Sequence, residues 1–120
     1  MFVNYRKLIK NLPNVLLFVF LSCSKQKTHS LNVPNCVQTK IELIQSLPVE
    51  NPPKEVWKWQ VDGNTYYYFS AACCDQYSEL YDTNCNLVCH PDGGLTGAGD
   101  GNCPNFSGSI IKTLIWKDPR

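Results

Sequence analysis

Apolar and polar positions follow three different patterns along the chain, and each predicts a different element. Val37, Ile41 and Ile44 recur at helical spacing and Leu47 continues the stripe, while Gln38, Lys40, Glu42 and Gln45 fall largely on the other faces. This predicts one amphipathic helix from about Cys36 to Ser46 with Asn35 as its N-cap, ended by Pro48, Pro52 and Pro53. From Glu55 to Ala72 the pattern changes to strict alternation. Val56-Trp57-Lys58-Trp59-Gln60-Val61 and Thr65-Tyr66-Tyr67-Tyr68-Phe69 flank Asp62-Gly63-Asn64, which predicts a β-hairpin. Trp57, Trp59 and Val61 then share a face with Tyr66 and Tyr68, the expected core face under the helix; Lys58, Gln60, Tyr67 and Phe69 share the outer one. Leu80-Tyr81-Asp82 and Leu87-Val88-Cys89 predict a second hairpin around Thr83 to Asn86, and Ser109 to Trp116 a last strand. The predicted fold class is α+β: one N-terminal amphipathic helix packed on an antiparallel sheet of about 4–5 strands, stapled by disulfides.

The third pattern lies at the N-terminus. Arg6, Lys7 and Lys10 precede an uncharged apolar run, Val15 to Leu21, which is followed by Ser22 and Cys23. Basic, apolar, then small is the order of a secretory signal, and the run falls short of the roughly 20 apolar residues a spanning helix needs. Phe20-Leu21-Ser22-Cys23 resembles a bacterial lipobox, with Phe20 an unusual residue at its position. The thiol of Cys23 would take a diacylglycerol and its freed amine a further acyl chain such as palmitate, enough for stable anchoring. Residues 1–22 are thus expected to be a lipoprotein signal peptide. Residues 23–34, polar from Ser24 to Pro34, are expected to be a flexible tether, and residues 35–120 a single cysteine-rich domain.

Composition narrows the function classes. The whole chain carries 11 Lys+Arg against 10 Asp+Glu, and removal of the leader takes three positive charges and no negative ones. No concentrated basic surface is available for nucleic acid. A hydrophobic fraction of 43% excludes a disordered chain. Seven cysteines in 120 residues point to an oxidising compartment or to a metal. With Cys23 reserved for lipid, an even set remains: Cys36, Cys73, Cys74, Cys85, Cys89 and Cys103. Disulfides suit a small exported domain whose core is modest, and each could contribute about 2–4 kcal/mol. Sequence alone leaves the pairing open. Two expectations follow from placement: Cys103 closes the Gly-rich loop onto the body, and Cys36 ties the helix to the sheet. Cys73 and Cys74, if extended, point to opposite faces and so bond to different partners. Zinc is the competing reading for Cys73-Cys74 and Cys85-x-x-x-Cys89-His90, but the spacing lacks a Cys-x-x-Cys knuckle.

The loops offer a second chemistry. Asp82-x-Asn84-x-Asn86 begins like an EF-hand but has Leu87 where glycine is needed and Gly93 where a bidentate Glu is needed, so it reads as turn chemistry. Between Pro91 and Pro104, five glycines accompany Asp92, Asp100 and Asn102, which could ligate calcium through hard oxygens; the alternative is a loop whose carboxylates satisfy its own amides. No Gly-Lys-[Ser/Thr] follows, so the loop is not a phosphate cradle. Trp57, Trp59 and Tyr66 to Tyr68 read as cross-strand packing or as the lining of a sugar or peptide groove, and Tyr67 and Lys58 on the outer face could serve a partner. No acid–base pair, nucleophile elbow or triad stands out.

Cys73-Cys74-Asp75-Gln76, Leu80-Tyr81-Asp82, Cys89-His90-Pro91-Asp92-Gly93-Gly94, Thr96-Gly97-x-Gly99-Asp100-Gly101-x-Cys103-Pro104 and Leu114 to Asp118 span most of the mature chain. This set resembles small cysteine-rich lipoproteins of Bacteroidota that carry a domain of unknown function. The resemblance implies lipid anchoring and transfers no catalytic residue. The expected function is that of an envelope lipoprotein, bilayer-anchored and facing an envelope protein or glycan at the outer membrane, without catalysis or cofactor. A calcium-dependent module on loop 91–104, and an envelope hydrolase or thiol enzyme, are the alternatives.

Overall fold

The computed structural model describes residues 31–120. The expected signal segment, Cys23 and the expected tether as far as Ser30 lie outside the described residues. One helix, α1 (Asn35–Ser46), precedes five strands: β1 (Glu55–Val61), β2 (Asn64–Phe69), β3 (Glu79–Tyr81), β4 (Leu87–Cys89) and β5 (Ile111–Lys117). They form one antiparallel sheet in the order β4-β3-β2-β1-β5. The turn between β1 and β2 has Asp62 at φ 51 and Gly63 at φ 76, the doubly left-handed pair that a two-residue hairpin needs. It fixes the register Val61↔Asn64 through Val56↔Phe69.

Both faces of this sheet are apolar, and two different covers bury them. Val56, Tyr67, Phe69 and Tyr81 form one face and pack with Val37 and Ile41 of α1. The Lys40 ammonium lies 4.2 Å over the Tyr81 ring, so even the polar flank of the helix contributes contact. Trp59, Leu80 and Cys89 form the other face, packed against Cys103, Phe106 and Ile110 of the irregular chain between β4 and β5. Leu31 and Val33 also pack against the helix-side core, so the last residues of the expected tether are part of the folded body.

The α+β arrangement predicted from sequence is therefore corrected. The domain is a five-stranded antiparallel sheet with one short helix, and that helix does not lie under the Trp57/Trp59 face. Alternation sorted the side chains into the right two sets. It could not say which set meets the helix, because both are large and apolar. Tyr67, expected outside, is buried under α1 at 5% exposure, and Lys58 shares its face half-buried. The helix begins at Asn35 with Pro34 in the N-cap position and no side-chain cap, so Asn35 does not cap it. At its other end Leu47 turns extended, and the Arg120 guanidinium donates to the carbonyls of Ile44, Gln45 and Leu47. The Ile44 carbonyl also accepts the Leu47 amide at 3.1 Å, and a cation suits that end of the helix dipole, where the last carbonyls lack partners within the helix. Asp118, buried beside it, accepts from Arg120 at 2.7 Å, which holds its carboxyl below the usual range.

Cys36 of α1 is joined to Cys85 in the turn between β3 and β4, and Cys89 of β4 to Cys103. The first ties the helix to the sheet and the second closes the Gly-rich loop. Cys73 and Cys74 are joined to each other, which corrects the expectation that they bond to different partners. The reason is local: Cys74 adopts φ 63, so the segment is not extended. The amide of Gln76 returns to the Cys73 carbonyl at 3.3 Å and completes the turn.

The closed loops set the expected cost of opening each clamp. Cys36→Ser/Cys85→Ser opens a separation of 49 residues and should lower stability by about 4 kcal/mol. Cys89→Ser/Cys103→Ser opens 14 residues and should cost about 3 kcal/mol. Guanidinium unfolding of the oxidised proteins measures both; midpoints equal to the parent's would contradict the clamp roles.

Candidate functional site

The cover on the tryptophan face is incomplete, and what it leaves open is a cleft. Strand β1 places Glu55, Trp57 and Trp59 on this face, because odd positions of an alternating strand point the same way. Strand β2 brings Tyr68 opposite Trp57, with Ser70 one step further along the same face. Strand β5 brings Lys112 opposite Trp59. The loop after β4 brings Asp92. Together these residues line an open cleft of about 270 Å³. A larger hollow of about 540 Å³ lies between the hairpin tips at Asn64, Tyr66, Asp82 and Val88. Its carboxylate, Asp82, already accepts the amides of Asn84 and Asn86 at 2.9 Å each, the turn chemistry read from sequence. The aromatic cleft, with polar groups that its own fold leaves partly free, is the better candidate.

Each wall is held. Trp59 stacks on Tyr68 with ring centroids 5.0 Å apart and planes 9° apart. The Lys112 ammonium covers the Trp59 ring at 4.5 Å and makes no ion pair with a described residue. The Trp57 indole N–H donates to Glu55 Oε2 at 2.9 Å. That bond, followed by the Lys117 ammonium at 3.1 Å, holds the Glu55 carboxyl below its ordinary range. The Tyr68 hydroxyl donates to Asp92 Oδ2 at 2.8 Å. Burial first, and then this bond to an anion, push the Tyr68 phenol up to about 12. The indole N–H of Trp59 is buried with no partner among the described residues.

The loop that delivers Asp92 depends on glycine. Gly93 sits at φ 86, and a Cβ there would fall inside the Gln76 carbonyl oxygen. Gly99, at φ 74, lies equally close to the His90 carbonyl oxygen. Only glycine tolerates both conditions. Ser78, buried, locks the same stretch: its amide and hydroxyl donate to the Asp92 carbonyl, and its hydroxyl accepts the Asp92 amide. At the far end, Asp62 of the hairpin turn accepts the amides of Ser107 and Gly108 and the Ser107 hydroxyl, each at 2.9 Å. The backbone N–H of Ser107 is the main cause of its lowered carboxyl.

Of the five residues singled out for ligand binding, Asp92 alone lines this cleft. Asp100 accepts the Asn102 amide at 2.9 Å, and this bond lowers its carboxyl; Asn102 is exposed beside it. Tyr67 and Lys58 lie on the opposite, helix-side face. Among the described residues no three His, Cys, Asp or Glu side chains are gathered to hold a metal ion. Sequence reading missed Glu55, Ser70 and Lys112. Lys112 carries no local signal, since its place follows from pairing of β1 with a strand some fifty residues later. Among the described residues no helix is long and apolar enough to cross a membrane.

A family model described as a domain of unknown function (DUF6970) matches residues 42–118, which include every residue of the cleft and five of the six joined cysteines. No curated protein and no solved structure matches the chain.

Tyr68 supplies a titration test. Its neutral form is favoured in the folded state, so its contribution to stability is full below pH 10 and is lost as pH rises through about 12. In an ultraviolet titration, Tyr68→Phe should remove one of the late-ionising phenols and leave Tyr81, which burial and the Glu79 carboxylate also push up, together with the remaining tyrosines. A parent protein whose tyrosines all ionise near pH 10 would contradict the Tyr68–Asp92 bond.

Proposed function

We propose that this chain, which belongs to the DUF6970 family, is a lipid-anchored binding module of the cell envelope. The observation that carries the reading is the open aromatic cleft, lined by an ammonium and two carboxylates and framed by a loop clamped through Cys89–Cys103. A cleft of this kind, with convergent polar groups on an apolar wall, suits recognition. The reading includes no catalysis. Glu55 and Asp92 each already serve a neighbour, Glu55 the Trp57 indole and Asp92 the Tyr68 hydroxyl. The one hydroxyl among the described lining residues besides Tyr68, that of Ser70, accepts the Glu55 amide at 2.8 Å. The module works without a cofactor, and its partner is a component of the envelope rather than nucleic acid.

The anchor part of the proposal rests on the Phe20-Leu21-Ser22-Cys23 signature after a basic and apolar leader. Joined cysteines fit the same compartment, since disulfides persist outside the cytosol. Ser24 follows Cys23, with no aspartate that would favour inner-membrane retention, so the outer membrane is the proposed site. Mass spectrometry of the chain extracted from bacterial membranes should find Cys23 as the N-terminus, carrying a diacylglyceryl group and an amide-linked acyl chain. Cys23→Ser should move the protein out of the membrane fraction. An unmodified Cys23, or membrane retention of Cys23→Ser, would overturn the anchor.

A further inference from the structure

We infer that the cleft beside Trp57 receives a neutral sugar ring, an assignment that rests on the binding-module reading and gives it a ligand class. Three observations select this chemistry. The first is the aromatic surface of Trp57, which packs in part on the Trp59–Leu80–Cys89 core and in part lines the open cleft. Trp59 is already stacked on Tyr68 and covered by Lys112, whereas Trp57 has no aromatic or cationic partner among the described residues. Its indole is held in place by Glu55 at 2.9 Å, so the flat surface is pre-organised. A pyranose presents a face of C–H groups that packs on such a ring, as apolar surface does on any aromatic.

The second is the set of polar groups around that surface. Asp92 gives one carboxylate oxygen to Tyr68 and has its other oxygen free to accept a hydroxyl. Lys112 holds its ammonium at the Trp59 ring without a carboxylate partner among the described residues, so it can donate to a hydroxyl. The Asp92 acceptor and the Lys112 donor thus both line the cleft beside an aromatic platform. A sugar hydroxyl both donates and accepts, so a single ring can meet them together.

The third is charge and size. Glu55 is paired with Lys117 at 3.1 Å and Asp92 stands against Lys112, so the charges around the cleft balance and single out neither an anionic nor a cationic ligand. The open volume of about 270 Å³ admits one or two rings and cannot enclose a large apolar ligand. A shallow site of this size implies a Kd on the order of 1 mM for a single ring and tighter binding for an oligomer.

The test titrates the full chain, in a detergent without a sugar headgroup, with neutral trisaccharides: cello-, malto-, manno- and chitotriose. Saturation-transfer NMR reads the contact and tryptophan emission the affinity. At least one trisaccharide should bind saturably. Trp57→Ala should weaken it at least tenfold in the NMR titration, Lys112→Ala by about threefold, and Gln60→Ala, exposed on the other face, should leave it unchanged. Lys112→Ala removes an exposed side chain at the sheet edge, so it reports even if Trp57→Ala fails to fold. No saturable binding of any trisaccharide overturns the assignment, as does binding that neither variant weakens, or a response to uronic acids or short peptides in place of neutral sugars. Cys23 acylation is scored on the same preparation, so failure with the anchor intact removes the sugar and not the lipid-anchored module.

Discussion

A five-stranded sheet with two apolar faces has to be covered twice, and about 90 described residues supply only one helix to do it. The second cover is irregular chain, which has no internal ladder of hydrogen bonds and a high entropic cost of ordering. Two disulfides meet this constraint, one for each face. Cys36–Cys85 holds α1 against Val56, Tyr67, Phe69 and Tyr81. Cys89–Cys103 holds the Gly-rich loop against Trp59 and Leu80. Cys85 and Cys89 leave the same short β3–β4 hairpin in opposite directions, so this small hairpin carries both clamps.

The cleft follows from how the second cover ends. The loop is fixed at one side by Ser78 and the Gly93 approach to Gln76, and at the other by the Asp62 carboxylate. Between these pins it shields Leu80 and Cys89 but stops short of the Glu55–Trp57 end of β1. The Tyr68–Asp92 bond marks the border between covered and open sheet. Apart from Ser70 and Asp92, the lining there comes from the strands and not from the loops. Polar groups stand there, held in place by bonds that leave part of their capacity unused.

Much of this was legible in the residues. Helical spacing placed Val37 and Ile41 on the buried side of one helix, and alternation around Asp62-Gly63-Asn64 placed the first hairpin, while its register was settled by the Asp62-Gly63 turn that the structure shows. Cys103 as the closure of the Gly-rich loop, and Cys36 as the tie of the helix, followed from the need to restrain each. The choice of face was not legible, because Trp57/Trp59 and Tyr67/Phe69 compete on equal hydrophobic terms and the outcome depends on where α1 is stapled. The Cys73–Cys74 bond was missed because it needs a left-handed residue at Cys74, which no glycine advertised. The cleft was half visible: its aromatics stood out and Glu55 lies on their face by alternation along β1, while Lys112 joined them only through the pairing of β1 with distant strand β5.

All of these features depend on which sulfurs are joined. Digestion of the native protein without reductant, followed by mass spectrometry of the linked peptides, tests this most directly. The account predicts peptides cross-linked through Cys36–Cys85 and through Cys89–Cys103, with the peptide holding Cys73 and Cys74 free of thiols and linked to no other cysteine. Recovery of Cys36 linked to Cys103, or of Cys85 and Cys89 as free thiols, would contradict it.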